Sequence, residues 1–303
     1  MSGDLRVAQP EPAVAGGNAV PPGTITAPSA AVTTASPWIP ARRVILALLR
    51  RDLTERRGLG LPFLLDLAFG VLNLLVFLFV SQVLTLAPHA DFAGSVSYFD
   101  FVAMGIVFLL VLQAATIQVV ARLATEQRDG TLELLATQPT PGWALAFGLA
   151  AYPFAFALLR AGVYLGLLVG FFGLRVDARH WLAVVVVLAL GALCTVPFGV
   201  ALMGLTLAVG HGDSAARLLV LTLSLLSGTY FPTSALPDIA HPVCAVLPTR
   251  IALEELRLAA AGDSGVGPVL TLAGIAVVLL PLSAWIFDRA LRIARRRGRL
   301  TRD

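Results

Sequence analysis

The chain has 303 residues, of which 57% are hydrophobic and only 13% are charged. Because about a quarter of the residues in an ordinary soluble domain are charged, this composition excludes a soluble globular protein. Apolar runs long enough to cross ~30 Å of hydrocarbon recur between residues 60 and 290 and lack the alternation of β-barrel strands. We therefore predict an all-α polytopic membrane protein.

The basic residues are unusual, since all 22 of them are arginine and the chain contains no lysine. The phosphate-binding loop of an ATPase requires a lysine, so we expect no ATPase site in this chain. The formal net charge is +4. The arginines concentrate at the ends of the apolar runs, which favours roles in membrane topology and anionic-lipid contact over nucleic-acid binding.

Two segments precede the first apolar run. Residues 1–38 are rich in alanine, proline and glycine and are predicted to form a disordered tail without a signal peptide. Residues 39–58 combine paired arginines with apolar residues at helical spacing and predict an amphipathic helix in the membrane interface. The apolar residues are Val44, Ile45, Leu48, Leu49 and Leu53. A helix docked on a partner protein remains the alternative.

Residues 59–290 are predicted to form a permease domain of six transmembrane helices. The expected spans are 61–84, 99–121, 144–174, 181–209, 218–230 and 266–286. Pro153 is expected to interrupt the third span and Pro197 to kink the fourth. Residues 291–303 form a basic tail.

The loop at 122–142, between the second and third spans, contains the most informative polar stretch. Gly130 is expected to end the preceding helix in a left-handed conformation. Thr131 is then expected to cap a short second helix, with Leu132 and Leu135 on one face and Glu133 on another. This pattern predicts an amphipathic helix that another protein contacts, and the alternative is a solvated loop whose charges only set topology.

A proline-rich apolar segment spans residues 231–262. Pro232, Pro237, Pro242 and Pro248 exclude one continuous helix, whereas the apolar content argues against a free loop. Short re-entrant helices in the outer leaflet, shielded by protein, satisfy both constraints.

Three stretches resemble type-2 ABC exporter permeases. The loop resembles the first cytoplasmic loop of that family, which holds the coupling helix that contacts the ATPase. The matching positions are Glu126, Arg128, Gly130, Thr131, Leu132, Glu133, Leu135 and Pro139. The segment after the fifth span is similar at Gly228, Phe231, Pro232, Leu236 and Pro237. Residues 50–57 resemble the elbow helix before the first span.

The resemblance implies a permease subunit that moves a lipid, glycan or drug-like substrate outward. It implies a separate ABC ATPase subunit, which would hold ATP and magnesium, and a second permease copy in a homodimer. No cofactor is expected in this chain. In the family, the substrate crosses at the subunit interface, largely between the second and fifth spans.

The arginines also predict orientation. They flank the spans on the side of the loop at 122–142, and only Arg175, Arg179, Arg250 and Arg257 fall on the other side. The positive-inside rule then places both termini in the cytoplasm of a multi-pass protein of the cell inner membrane.

Five polar residues in or beside the spans are candidates for the substrate pathway: Asp66, Gln113, Thr116, Arg160 and Thr229. A charge inside the bilayer costs about 2.5–3.5 kcal/mol on insertion scales, so Asp66 and Arg160 must face protein, water or each other. An internal ion pair or polar contact between helices explains them as well as a substrate lining does.

No catalytic constellation stands out, and the four histidines lack a second ligand at metal-binding spacing. Three alternatives to the exporter remain. A haem-export-type permease of cytochrome maturation shares the style of the loop, although the 227–257 segment argues against it. A secondary transporter would show inverted repeats, and a membrane-embedded enzyme would need catalytic groups.

Overall fold

The computed structural model describes residues 41–55, 61–84, 98–138, 140–174, 180–210, 212–263 and 265–297. The predictions for the tail at 1–38, for Pro139 and for the side chain of Asp66 lie outside the described parts. Within the described ranges every regular element is helical, which confirms the predicted all-α class.

Eleven α-helices follow one another along the described ranges. They are α1 Ala41–Glu55, α2 Leu61–Leu84, α3 Tyr98–Gln113, α4 Val119–Arg128, α5 Thr131–Thr137, α6 Gly142–Gly170, α7 Trp181–Val209, α8 Gly212–Leu226, α9 His241–Val246, α10 Pro248–Ala261 and α11 Val266–Arg297. A π-helical turn at Ala114–Gln118 joins α3 to α4, and a 3₁₀ turn covers Thr233–Ala235.

Four stretches in the described ranges are long and apolar enough to cross a membrane: Tyr98–Arg128, Gly142–Gly170, Trp181–Val209 and Val266–Arg296. The first runs from α3 through the π-helical turn to α4, and the others lie in α6, α7 and α11. α2 contributes a shorter apolar stretch, Leu67–Gln82, and α8 has 15 residues. The composition thus fixes a multi-pass membrane protein, and the six-span count remains a prediction.

The prolines have two different effects. α6 and α7 run through Pro153 and Pro197, so the predicted interruption at Pro153 is wrong. In the proline-rich segment, by contrast, Pro242 and Pro248 stand in the first turns of α9 and α10, where a missing N–H costs nothing. The prediction that this segment is broken into short helices is confirmed.

Two apolar clusters make up most of the core. The cluster at the end that carries α5, which we call the loop end, joins α1, α4, α5, α6, α7, α8 and α11. Its fully buried members include Leu123, Leu132, Leu149, Met203 and Phe287. The cluster at the opposite end, the far end, joins α2, α3, α6, α7, α10 and α11 around Phe101, Met104 and Tyr164.

α1 packs on α6 at the loop end. A Cβ atom built on Gly148 would lie 2.5 Å from Leu48 Cδ1 and 3.6 Å from Ile45 Cα, so the two helices approach through the missing side chain. Leu48 is buried, but Leu53 is 54% exposed. The prediction that both lie on one apolar face is therefore wrong for Leu53. Asp52 takes the inward position instead and is 1% exposed.

The π-helical turn is held against α7 by a close backbone approach. A Cβ on Gly199 would lie 1.8 Å from the carbonyl oxygen of Ala115, far inside van der Waals contact. Within the same turn, Thr116 Oγ1 donates to the carbonyl of Leu112 at 2.6 Å. The turn is therefore both locally hydrogen-bonded and packed without a gap against its neighbour.

We expect Gly199→Ala to lower the thermal midpoint in detergent, because the new methyl group meets a backbone oxygen and one of the two helices must move. Over-packing of this kind costs about 1–3 kcal/mol. Gly166→Ala is the control, since among the described residues nothing lies within 4 Å of a Cβ at this position near the end of α6. That control should gain about 0.5–1 kcal/mol from helix propensity. Equal midpoints for the two variants would contradict the close approach.

Candidate functional site at the corner between α4 and α5

The corner between α4 and α5 is a left-handed glycine turn. Gly130 has φ 69°, and the Asp129 N–H bonds to the Thr125 carbonyl at 2.9 Å as α4 ends. Among the described residues nothing lies within 4 Å of a Cβ built on Gly130, so the backbone conformation and not space requires glycine here. The predicted turn is confirmed.

Thr131 does not cap α5, contrary to the sequence prediction. Gly130 occupies the N-cap position, and no side chain caps the helix. The Thr131 hydroxyl instead points back to α4, where it donates to the carboxylate of Glu126 and approaches the Glu126 carbonyl at 3.3 Å. The hydroxyl thus ties the first turn of α5 to the last turns of α4.

Glu126 is the centre of an ionic cluster made of Arg51, Asp52, Arg122 and Glu126. Arg122 Nη2 lies 2.9 Å from Glu126 Oε1, one helical turn apart on α4. Arg51 of α1 also donates to Glu126, and Arg122 donates to Asp52 of α1. Both carboxylates are nearly inaccessible, with side-chain exposures of 1% for Asp52 and 4% for Glu126.

The ionic cluster joins three elements through one carboxylate. Glu126 accepts hydrogen bonds from Arg51 of α1 and Thr131 of α5 and forms an ion pair with Arg122 of its own helix. Two cations face two anions, so the buried charges compensate each other, which is the condition for keeping them away from water. Glu126 therefore positions α5 from within the fold, and its burial removes it from the surface that a partner can touch.

The two faces of α5 differ as the sequence predicted. Leu132 is fully buried in the loop-end cluster, and Leu135 packs half-buried against the same cluster. Glu133 is exposed, and Arg128 is exposed just before the corner. Leu134 is 69% exposed. Its exposure was not predicted, because Leu134 is not part of the apolar face that Leu132 and Leu135 form. The outward face of the corner thus combines charge with one large apolar side chain.

A sequence model described as the ABC-2 type transporter matches residues 41–260, which is more than half of the chain. The chain belongs to the ABC-2 type transporter family. The matched range begins with α1 and includes the ionic cluster, the glycine corner and α5. No curated protein sequence matches the chain. Family membership makes this protein a multi-pass membrane subunit of an ABC transporter and implies an ABC ATPase as its partner.

The polar candidates for the substrate pathway differ in burial and in contacts within the ABC-2 permease. Thr116 is buried and bonded to its own helix, and Arg160 is buried in α6. Thr229 is buried at the far end, where its carbonyl oxygen would lie 2.2 Å from a Cβ on Gly105. Gln113 is half-buried at the end of α3. The substrate-pathway role of these residues stays a prediction.

The far end of the permease holds a buried arginine that the positive-inside count and the resemblance both included, without a contact assigned to it. Arg257 of α10 is 5% exposed, and its guanidinium lies 3.5 Å from the centre of the Phe101 ring. Nη2 donates to the carbonyls of Phe101 at 3.0 Å and Gly228 at 2.9 Å, and Nε donates to Phe101 at 3.2 Å. Arg257 therefore joins α10, α3 and the turn after α8.

A second polar contact supports the same junction. Ser227 Oγ lies 2.5 Å from Thr249 Oγ1, and both residues are buried. Gly228 has φ 72°, so the chain turns sharply after α8 and presents its carbonyls to Arg257. The far end is thus closed by hydrogen bonds between the α8 turn and α10.

Proposed function

We propose that the protein is the permease subunit of an ABC exporter that moves a lipid, glycan or drug-like substrate outward. ATP hydrolysis takes place in a separate ATPase chain, and two permease copies form a homodimer with substrate crossing between their second and fifth spans. Each copy has six spans, re-entrant helices at the far end and both termini in the cytoplasm of the cell inner membrane. The haem-export-type permease and the secondary transporter remain the alternatives.

The observation that supports this proposal best is the corner formed by α4, Gly130 and α5. An amphipathic helix whose outward face is charged and apolar, and whose inward face is buried, suits a contact that receives force. The ionic cluster ties that helix to α1 and α4. Through these contacts, a movement of α5 by an ATPase is transmitted to α1 and to α4, which ends the second span.

The test separates coupling from folding. We expect Glu133→Ala to insert at normal levels, because an exposed substitution changes stability by no more than about 0.5 kcal/mol. The variant should nevertheless lose co-purification of the co-expressed neighbouring ATPase, or its substrate-stimulated hydrolysis, since an interfacial charge pair can contribute several kcal/mol. Gly130→Val should have the same effect by opposing the left-handed turn.

Glu254→Ala is the matched control, because Glu254 is a 40% exposed glutamate at the far end that pairs in i,i+4 fashion with Arg250. This control should keep ATPase binding and export. If Glu133→Ala and Gly130→Val also keep both, the corner is a plain loop and the coupling role is wrong.

A further inference from the structure

One face of α11 changes from apolar to strongly basic towards the loop end. Val278, Leu282 and Trp285 are 64%, 47% and 55% exposed and succeed one another at helical spacings of four and three. Arg289, Arg292 and Arg296 continue the same stripe at spacings of four, three and four. The opposite face of α11, including Phe287 and Leu291, is buried in the loop-end cluster.

The arginines of this stripe line a cleft of about 240 Å³ together with Ile293. Arg292 Nη1 donates to Asp288 Oδ2 at 2.5 Å, so one of the three cations has an acidic neighbour on the same helix. The Arg289 guanidinium lies 5.4 Å from the centre of the Trp285 ring. Three guanidinium groups and one carboxylate leave the cleft with a surplus of positive charge.

We propose that this face of α11 binds an anionic phospholipid. The phosphate of the headgroup lies in the cleft between Arg289, Arg292 and Arg296, and an acyl chain follows Val278 and Leu282. Guanidinium groups bind phosphate oxygens in pairs, and tryptophan favours the boundary between hydrocarbon and headgroups. The order of apolar, aromatic and basic side chains along the stripe is the order of layers in a membrane leaflet.

The occupant is a lipid because the stripe that leads into the cleft belongs to a spanning helix. Val266–Arg296 is long and apolar enough to cross a membrane, and little of its most apolar stretch is buried within the chain. A soluble acidic ligand would meet only the basic part of the stripe. This inference rests on the membrane assignment and needs neither the ATPase nor transport, so its test is independent of the exporter function.

Trp285 provides the readout, since it lies beside the cleft. In full-length protein whose Trp38, Trp143 and Trp181 are replaced by phenylalanine, Trp285 is the remaining tryptophan. The protein is reconstituted in phosphatidylcholine vesicles, and its fluorescence is quenched by brominated phosphatidylglycerol or by brominated phosphatidylcholine. A basic residue near an anionic surface contributes about 1 kcal/mol, which is about fivefold in affinity, so we expect at least a fivefold preference for phosphatidylglycerol.

Arg296→Gln and Arg295→Gln form a matched pair of variants. Each removes one charge from neighbouring positions at the same helix end, but Arg296 lines the cleft and Arg295 does not. We expect Arg296→Gln to reduce the preference about fivefold and Arg295→Gln to leave it nearly unchanged. Equal losses would show that bulk charge alone attracts the lipid, and the proposed site would be wrong.

Two further measurements test the proposal. Inorganic phosphate added outside and inside the vesicles should not displace the brominated phosphatidylglycerol, and displacement would identify a site for free anions. If the tryptophan replacements unfold the protein, native mass spectrometry of the unaltered chain and of the two arginine variants counts retained phosphatidylglycerol instead. Retention that is equal in the unaltered chain and in Arg296→Gln overturns the proposal.

Discussion

Replacing Arg257 with methionine is expected to lower the thermal midpoint of the purified permease by about 6–10 °C. Methionine keeps the unbranched apolar stem of the side chain but removes the guanidinium that donates to the carbonyls of Phe101 and Gly228. The buried Gly228 carbonyl loses this donor at a cost of about 1–3 kcal/mol, while the Phe101 carbonyl keeps its hydrogen bond within α3. Loss of the stacked cation removes up to about 2 kcal/mol more. The far end should therefore open before the loop end.

Buried thiols report this opening directly. Cys194 and Cys244 are free and buried, so a fluorogenic maleimide reacts with them only as the fold loosens during heating. Arg257→Lys should recover part of the loss, because an ammonium provides donors but not the planar fork that spans two carbonyls.

The control for this prediction lies on the same helix. Arg250 is partly exposed and pairs with Glu254 at 2.7 Å in i,i+4 fashion, an arrangement that contributes about 0.3–0.5 kcal/mol. Arg250→Met should consequently shift the midpoint by little. A midpoint for Arg257→Met equal to that of Arg250→Met would mean that the buried hydrogen bonds contribute nothing net to stability.

Replacing Glu126 with glutamine is expected to have the second large effect. The change is nearly isosteric, but it removes the negative charge that faces Arg51 and Arg122, and it places amide hydrogens among donors. Breaking a buried ion pair from one side costs about 3–5 kcal/mol, because Asp52 alone then faces both arginines and one positive charge stays without compensation. We expect a lower thermal midpoint and faster proteolysis within the α4–α5 corner.

Glu133→Gln is the matched control for Glu126→Gln, seven positions further along and exposed. Glu133→Gln should leave the thermal midpoint and the proteolysis rate unchanged but weaken ATPase binding. Glu126→Gln should lower the midpoint, speed proteolysis and weaken ATPase binding. If Glu126→Gln melts and digests like the unaltered protein, the ionic cluster does not hold α5 in place.

Local features of the fold were predictable from the sequence where the chemistry is local. Gly130 ends a helix because few other residues adopt its conformation, and the prolines of the 231–262 segment divide it because each removes a donor. The spacing of Leu132 and Leu135 alone placed them on one face of α5. These inferences need only neighbours within a few residues of each other.

The ionic cluster and the Arg257 junction were missed because they depend on contacts between distant parts of the chain. Arg51 and Glu126 are 75 positions apart, and Arg257 and Phe101 are 156 positions apart. The periodicity of α1 predicted an amphipathic helix. It did not predict that Asp52 points inward and Leu53 outward, because four arginines lie near Asp52 in the sequence. The i,i+4 spacing of Arg122 and Glu126 was the one visible sign of the ionic cluster.

The π-helical turn at Ala114–Gln118 restricts which insertions and deletions this part of the chain can accept. One residue corresponds to about 100° of rotation in an α-helix, so a single deletion within the turn would rotate α4 relative to α3 by that angle. Arg122 and Glu126 would then leave α1, and the corner at Gly130 would point elsewhere. Insertions and deletions of one residue between Gly105 and Glu126 should therefore be purged during evolution, while substitutions at the exposed Ala121 and Thr125 remain free to accumulate.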